Sequence, residues 1–141
     1  SATTTVYRVA QLTSLDFSTV GAQYVIEYAG NPNQFLTVNG STFAFDSLSE
    51  SVFTTISSGY TVMFNESNRY LQMSASRNSC TVSAATRSST VSMDYQANNG
   101  FRFYQRYDNS RIYYLTRNNN SVAANRNATD PYWNIYKVTT N

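Results

Sequence analysis

Short runs of alternating apolar and polar residues, separated by Asn, Ser and Gly, cover most of the chain, the pattern of half-buried strands joined by turns. VYRVAQL at residues 6–12 alternates in this way and leads into the connection TSLDFSTVGA, where Asp16 or Ser14 could cap a short helical turn. That is the one helical turn the pattern supports. Beyond it a single motif is met three times: YVIEYAGNPNQFL at 24–36, YTVMFNESNRYL at 60–71 and FYQRYDNSRIYYL at 103–115. In each copy an aromatic residue opens a run that ends in an aromatic (Tyr28, Phe64, Tyr107), and an Asn-containing polar turn follows. An aromatic–Leu pair closes it: Phe35–Leu36, Tyr70–Leu71 and Tyr114–Leu115.

Each hairpin is followed by a strand of mostly small residues at 42–45, 80–84 and 121–124, and then by a fourth strand at 52–56, 90–95 and 132–138. Gly21, Gly59 and Gly100 precede the three sets at spacings of 38 and 41 residues, a near-constant period. Asn39–Gly40, Asn98–Asn99–Gly100 and Asn118–Asn119–Asn120 supply turn residues that tolerate positive φ, while Pro32 and Pro131 fall outside the strands. These features predict one all-β domain over residues 1–141, a β-trefoil with three pseudo-repeats of four strands at about 21–58, 59–99 and 100–141. Six strands then form a barrel and six a triangular cap. A β-sandwich is the alternative, since short alternating strands also suit that architecture.

In the trefoil reading Leu36, Leu71 and Leu115 form one inward layer, with Ile26, Val62, Val91, Trp133 and Ile135 beside them. Gln105 then stands where Ile26 and Val62 stand, which points to a shifted register in the longer third hairpin. The N-terminal strand is expected to close the barrel against 133–138, so that truncating either end unfolds the domain.

Composition narrows the chemistry. Aromatic residues (15%) outnumber charged ones (13%), and 41% apolar content in 141 residues suffices for one real core. The net charge of +2 is uneven: residues 100–141 carry six basic side chains against Asp108 and Asp130, leaving −2 on the first 99. This excess is too small to favour a nucleic-acid partner. The chain has no His and a single Cys, so the commonest general base and metal ligand is absent and no intrachain disulfide can form. Cys80, with no imidazole to activate it, reads as an inert core thiol. The eight acids are dispersed and no phosphate-binding loop is present, so no catalytic residue, metal site or cofactor is expected. No apolar run is long enough to span a bilayer, and membrane insertion is not expected.

What remains is the surface chemistry of aromatic rings and planar amides, the combination that holds sugars by their C–H faces and hydroxyls. The third hairpin is the best candidate, because Tyr104, Tyr107, Tyr113 and Tyr114 on alternating faces cannot all be buried. A ligand-binding site is therefore expected at Tyr104, Arg106, Tyr107, Asp108, Asn109, Arg111 and Tyr113. The expected function is non-catalytic carbohydrate binding, with a glycan or glycoprotein as partner. The alternative is a protein-interaction, adhesin or protease-inhibitor domain presenting the polar stretch 118–130.

The three-unit pattern over residues 21–138 resembles the β-trefoil superfamily, which includes ricin-type lectins. The Gln-x-Trp signature of those lectins is absent from all three units, so none of their sugar-binding residues carries over. Separately, Tyr7, Val9, Leu12, Leu15, Gly21, Tyr24 and Ile26 resemble an opening found in secreted proteins of gut bacteria, mostly in accessory domains of larger surface proteins. That resemblance, together with SATTT as a linker end or the start of a mature chain, implies an extracellular, secreted or cell-surface location and other domains of a larger parent chain as partners.

Overall fold

Asparagine makes many of the turns. Asn33, Asn68, Asn98 and Asn119 all adopt positive φ, between 55 and 71°, a region asparagine tolerates better than other side chains. Between such turns the structure, a computed structural model that describes residues 6–47, 49–56 and 59–140, forms strands, with no helix among the described residues. After an N-terminal strand β1 (Val6–Gln11) they fall into three sets of four. The first set is β2 (Gln23–Tyr28), β3 (Phe35–Asn39), β4 (Thr42–Asp46) and β5 (Val52–Ile56). The second is β6 (Tyr60–Phe64), β7 (Arg69–Ala75), β8 (Cys80–Ala85) and β9 (Ser92–Gln96). The third is β10 (Gly100–Arg106), β11 (Ile112–Asn118), β12 (Ser121–Asn125) and β13 (Trp133–Thr140).

The first and last strands of each set join in a closed antiparallel ring, in the order β2, β5, β6, β9, β10, β13 and back to β2. Closure leaves no barrel edge unpaired. Within each set the ring contact is a single pair: Tyr24 with Val52, Tyr60 with Val91, and Phe101 with Trp133. The middle strands form the hairpins β3–β4, β7–β8 and β11–β12, whose second strands meet one another as a triangular cap. The fold is a β-trefoil.

The threefold core layer is present. Leu36, Leu71 and Leu115 are all fully buried, and Ile26, Val62, Val91, Trp133 and Ile135 surround them. Burial of each such side chain contributes about 1.5–3 kcal/mol relative to exposure. The layer is not symmetric in volume. Trp133 stands where the other sets have Val52 and Val91, and Phe45, opposite Leu36, stands where they have Ala84 and Ala124. The two large rings compensate each other by stacking at 5.9 Å and 12°. Gly100, at φ 133°, is required here, because a Cβ would lie 2.8 Å from the Trp133 carbonyl oxygen.

Four sequence expectations change. The aromatic that opens the third hairpin is Phe101, not Phe103, because Phe101 pairs with Trp133 as Tyr24 pairs with Val52. Phe103, fully buried, thereby takes the place of Ile26 and Val62, and Gln105 moves to that of Tyr28 and Phe64, where its amide donates to the Met73 carbonyl at 3.1 Å. The longer β10–β11 turn absorbs the difference. No helical turn forms at Asp16; its carboxylate instead accepts from the Ser18 amide and hydroxyl at 3.1 and 2.5 Å, closing a local side-chain turn. β1 does pair with β13, but along Tyr136–Thr140, while β2 closes the ring. Finally, the polar stretch 118–130 cannot be presented as one protruding loop, since β12, the strand expected at 121–124, runs through it. SATTT lies outside the described residues.

Candidate functional site

Because each set repeats the same pairing, each presents one equivalent row of outward side chains across four strands. In the first set the row is Asn134, Glu27, Phe35, Asp46; in the second it is Phe53, Met63, Tyr70, Ala85; in the third it is Ser92, Tyr104, Tyr114, Asn125. The rows share a backbone and differ in chemistry. Glu27 is buried and accepts from the Asn33 amide at 2.9 Å and the Tyr136 hydroxyl at 3.1 Å, so the first row is closed by internal hydrogen bonds. The second is apolar, with Phe53 exposed. The third is aromatic and cationic.

In that third row the half-buried Tyr104 and Tyr114 face each other with ring centroids 5.7 Å apart. The alternation of β10 puts Arg102 and Arg106 on the same face as Tyr104. The Arg102 guanidinium lies 4.8 Å from the Tyr114 centroid and that of Arg106 5.8 Å from the Tyr104 centroid. Contacts of this kind are worth about 0.5–1 kcal/mol at exposed sites. Arg102 is fixed by a bidentate pair with Asp94, Nε to Oδ1 at 2.9 Å and Nη2 to Oδ2 at 2.6 Å, which also pushes its pKa up. The result is a platform of two rings between two planar cations, with Asn125 opposite Tyr114 in the register of β12.

The turn beyond the platform holds the other predicted residues. Tyr107 is 48% exposed, and its amide donates to the Arg111 carbonyl at 2.8 Å. Asp108 accepts from the amides of Ser110 and Arg111 at 3.0 and 2.8 Å and pairs with the Arg111 guanidinium, which lies 5.9 Å from the Tyr107 ring. Desolvation works to raise the Asp108 carboxyl, but these amides and the Arg111 charge outweigh it and hold it below the usual carboxylate range. Asn109 is exposed at the tip.

Of the seven predicted residues, the structure therefore places Tyr104 and Arg106 on the platform and Tyr107, Asp108, Asn109 and Arg111 in the adjoining turn. Tyr113 is a correction. It is buried, and its hydroxyl reaches the carbonyls of Ser76 and Arg77 at 2.8 and 3.0 Å, so it is absent from the platform and lines instead a groove on the other side of the hairpin. Asp108 is likewise committed to shaping the turn. Sequence reasoning missed Arg102, Asp94 and Asn125. The Arg102–Tyr104–Arg106 alternation was a usable signal, but the pairing of Tyr104 with Tyr114 depends on turn length, which the pattern alone did not set.

Two of the grooves among the described residues flank the hairpins. One, of about 660 Å³, lies between the second and third cap hairpins, and the other, of about 330 Å³, lies beside Asp46, Glu50 and Glu66. Cys80 lines the larger one, half-buried, and burial pushes its thiol up to about 11. Among the described residues no group of three or more His, Cys, Asp or Glu side chains is placed to hold a metal ion.

No protein-family model matches the chain, and no curated protein matches its sequence. The resemblance of its N-terminal stretch to secreted bacterial proteins gains no support from these comparisons. A solved structure of a ricin B-like lectin from Macrolepiota procera, in complex with lactose, is similar over 87% of this chain and 96% of that chain, with a TM-score of 0.63. Sequence identity is 13%. The likeness is one of fold: two chains with almost no sequence in common share the β-trefoil.

Proposed function

We propose that this chain is a non-catalytic carbohydrate-binding module whose sugar platform is the outer face of the third set. The observation that carries the reading is the Tyr104–Tyr114 pair, half-exposed between Arg102 and Arg106. A pyranose laid on two tyrosine faces gains contact with its C–H surface, while the guanidinium edges and the Asn125 amide donate to its hydroxyls. The fold likeness to a lectin bound to lactose supports the same reading. The platform is open and shallow, so a single sugar binds weakly and several are needed for useful avidity. The natural partner is then a glycan or glycoprotein. A secreted or cell-surface parent chain is part of the same proposal; it is supported by composition alone and tested by locating the protein in fractionated cells.

A glycan array followed by calorimetry on its hits tests the platform. Tyr114→Ala should weaken binding of a hit by about tenfold, the loss of one stacking face, and leave thermal unfolding nearly unchanged. Undiminished binding by Tyr104→Ala and Tyr114→Ala alike would remove the platform from the reading. A second reading, a protein-interaction domain, is favoured by the apolar row Phe53, Met63 and Tyr70, and pull-down that fails on Phe53→Ser would support it.

A further inference from the structure

The larger groove lies around the edge of β12 from the tyrosine platform. One bank is the start of β8 with the turn before it, and the other is β12 with the turn after it. The small side chains of Ala123 and Ala124 line it, Ala124 standing where the first set has Phe45, and β8 and β12 are both terminal strands of the sheet. Its banks are held in place. The Tyr113 hydroxyl ties the third set to the β7–β8 turn, and the Ser76 amide closes that turn onto the Ser79 carbonyl at 2.7 Å.

The lining has a distinct chemistry. Asn78, Asn125, Asn127 and Arg126 surround an apolar floor that includes Val82 and Val122. Among the described residues no carboxylate lines the groove, and the side chains of these four make no hydrogen bond or ion pair. Arg126 is the only charged lining residue among the described residues, and exposed Arg77 is the neighbour of Asn78 in the chain. Three amides and a guanidinium offer many donors. The groove, of about 660 Å³, is open to solvent, with Asn78, Asn125, Arg126 and Asn127 all exposed along it.

We propose that this groove binds a carboxylated oligosaccharide, with Arg126 on the sugar carboxylate and Asn78, Asn125 and Asn127 on its hydroxyls. The proposal rests on the carbohydrate-binding reading and extends it. Asn125 belongs both to the groove and to the row of Tyr104 and Tyr114, so one glycan chain can run from the platform into the groove. The carboxylate supplies what the platform does not require, a charge for Arg126 in a site without competing acids.

Cys80, the single thiol of the chain, lines the groove and reports its occupancy. The probes are trigalacturonate and sialyllactose, each against its methyl ester, which keeps the sugar and removes the charge. The expected result is that one of the two acids slows maleimide labelling of Cys80 about fivefold and binds about tenfold more tightly than its ester, a difference that Arg126→Ala abolishes. The acid that protects identifies the class, uronic or sialic. Failure of both to protect Cys80, or an acid preference that survives Arg126→Ala, overturns the proposal. Neutral sugars bound through Tyr114 without Cys80 protection by either acid would leave the platform standing and the groove refuted. Cys80 protection that Arg126→Ala abolishes, with neutral-sugar binding insensitive to Tyr104→Ala and Tyr114→Ala alike, would do the reverse.

Discussion

Trp133 and Phe45 are the pair of residues by which the core departs from threefold symmetry, and replacing them with the residues of the other sets tests how that departure is stabilised. Trp133 is fully buried, its ring meets Tyr28, Phe45 and Phe103, and its indole N–H donates to the Leu115 carbonyl at 3.0 Å. Trp133→Val removes most of that volume and should cost about 3 kcal/mol for the cavity. The Leu115 carbonyl, left without its donor, adds about 1 kcal/mol. Phe45→Ala, at a half-buried position, should cost about 2 kcal/mol. The double variant puts Val and Ala at these two positions in every set, the residues the second set already has, and each change alone strips the same stacked contact. It should therefore fall short of the sum by about 1 kcal/mol. Urea unfolding followed by far-UV circular dichroism measures all three, since the only Trp is lost. A cost below about 1 kcal/mol for Trp133→Val would refute the assignment of the indole to the core. Additivity within about 0.3 kcal/mol would refute the compensation.

Labelling of Cys80 should keep accelerating up to about pH 11, because burial raises its thiol and only the thiolate reacts; a plateau near the pKa of a free thiol would contradict this. Asp108, held below its unfolded pKa, contributes stability that is present above the ordinary carboxylate value of about 3.9 and is lost as pH falls through its folded value. Asp108→Asn should therefore flatten the acid limb of the stability profile, and an unchanged limb would count against the turn; Asp108→Ala, without the acceptor for two amides, should also lower Tm at neutral pH. Deletion of residues 1–11 should lower Tm but preserve a cooperative transition, because β1 lies outside the closed ring; complete loss of the transition would show that β1 completes the barrel.

The strand pattern, the repeat of four strands and the inward Leu36, Leu71 and Leu115 were legible in the sequence, because period-two alternation and turn asparagines are local properties. The third hairpin was legible only in part. Its copy aligned by ring and leucine identity, which set Phe103 against Tyr24, whereas the backbone contact with Trp133 sets Phe101 there. A two-residue error leaves every side chain on the right face but displaces it along the strand, which is why Gln105 looked anomalous.

The candidate site divides in the same way. Tyrosines on both faces of a strand can be counted from sequence, and the count correctly required some to be exposed. Which ones stay exposed depends on what the neighbouring hairpin brings: the Ser76 and Arg77 carbonyls reach the buried Tyr113, whereas half-buried Tyr114 meets Arg102 and Tyr104 of its own set. Sequence alone thus determined the fold class and the aromatic and amide character of the surface, since alternation and composition act within a few residues. The tertiary structure decided the register of β10, the Tyr104–Tyr114 platform and the groove between β8 and β12, because each depends on contacts between residues far apart in the chain.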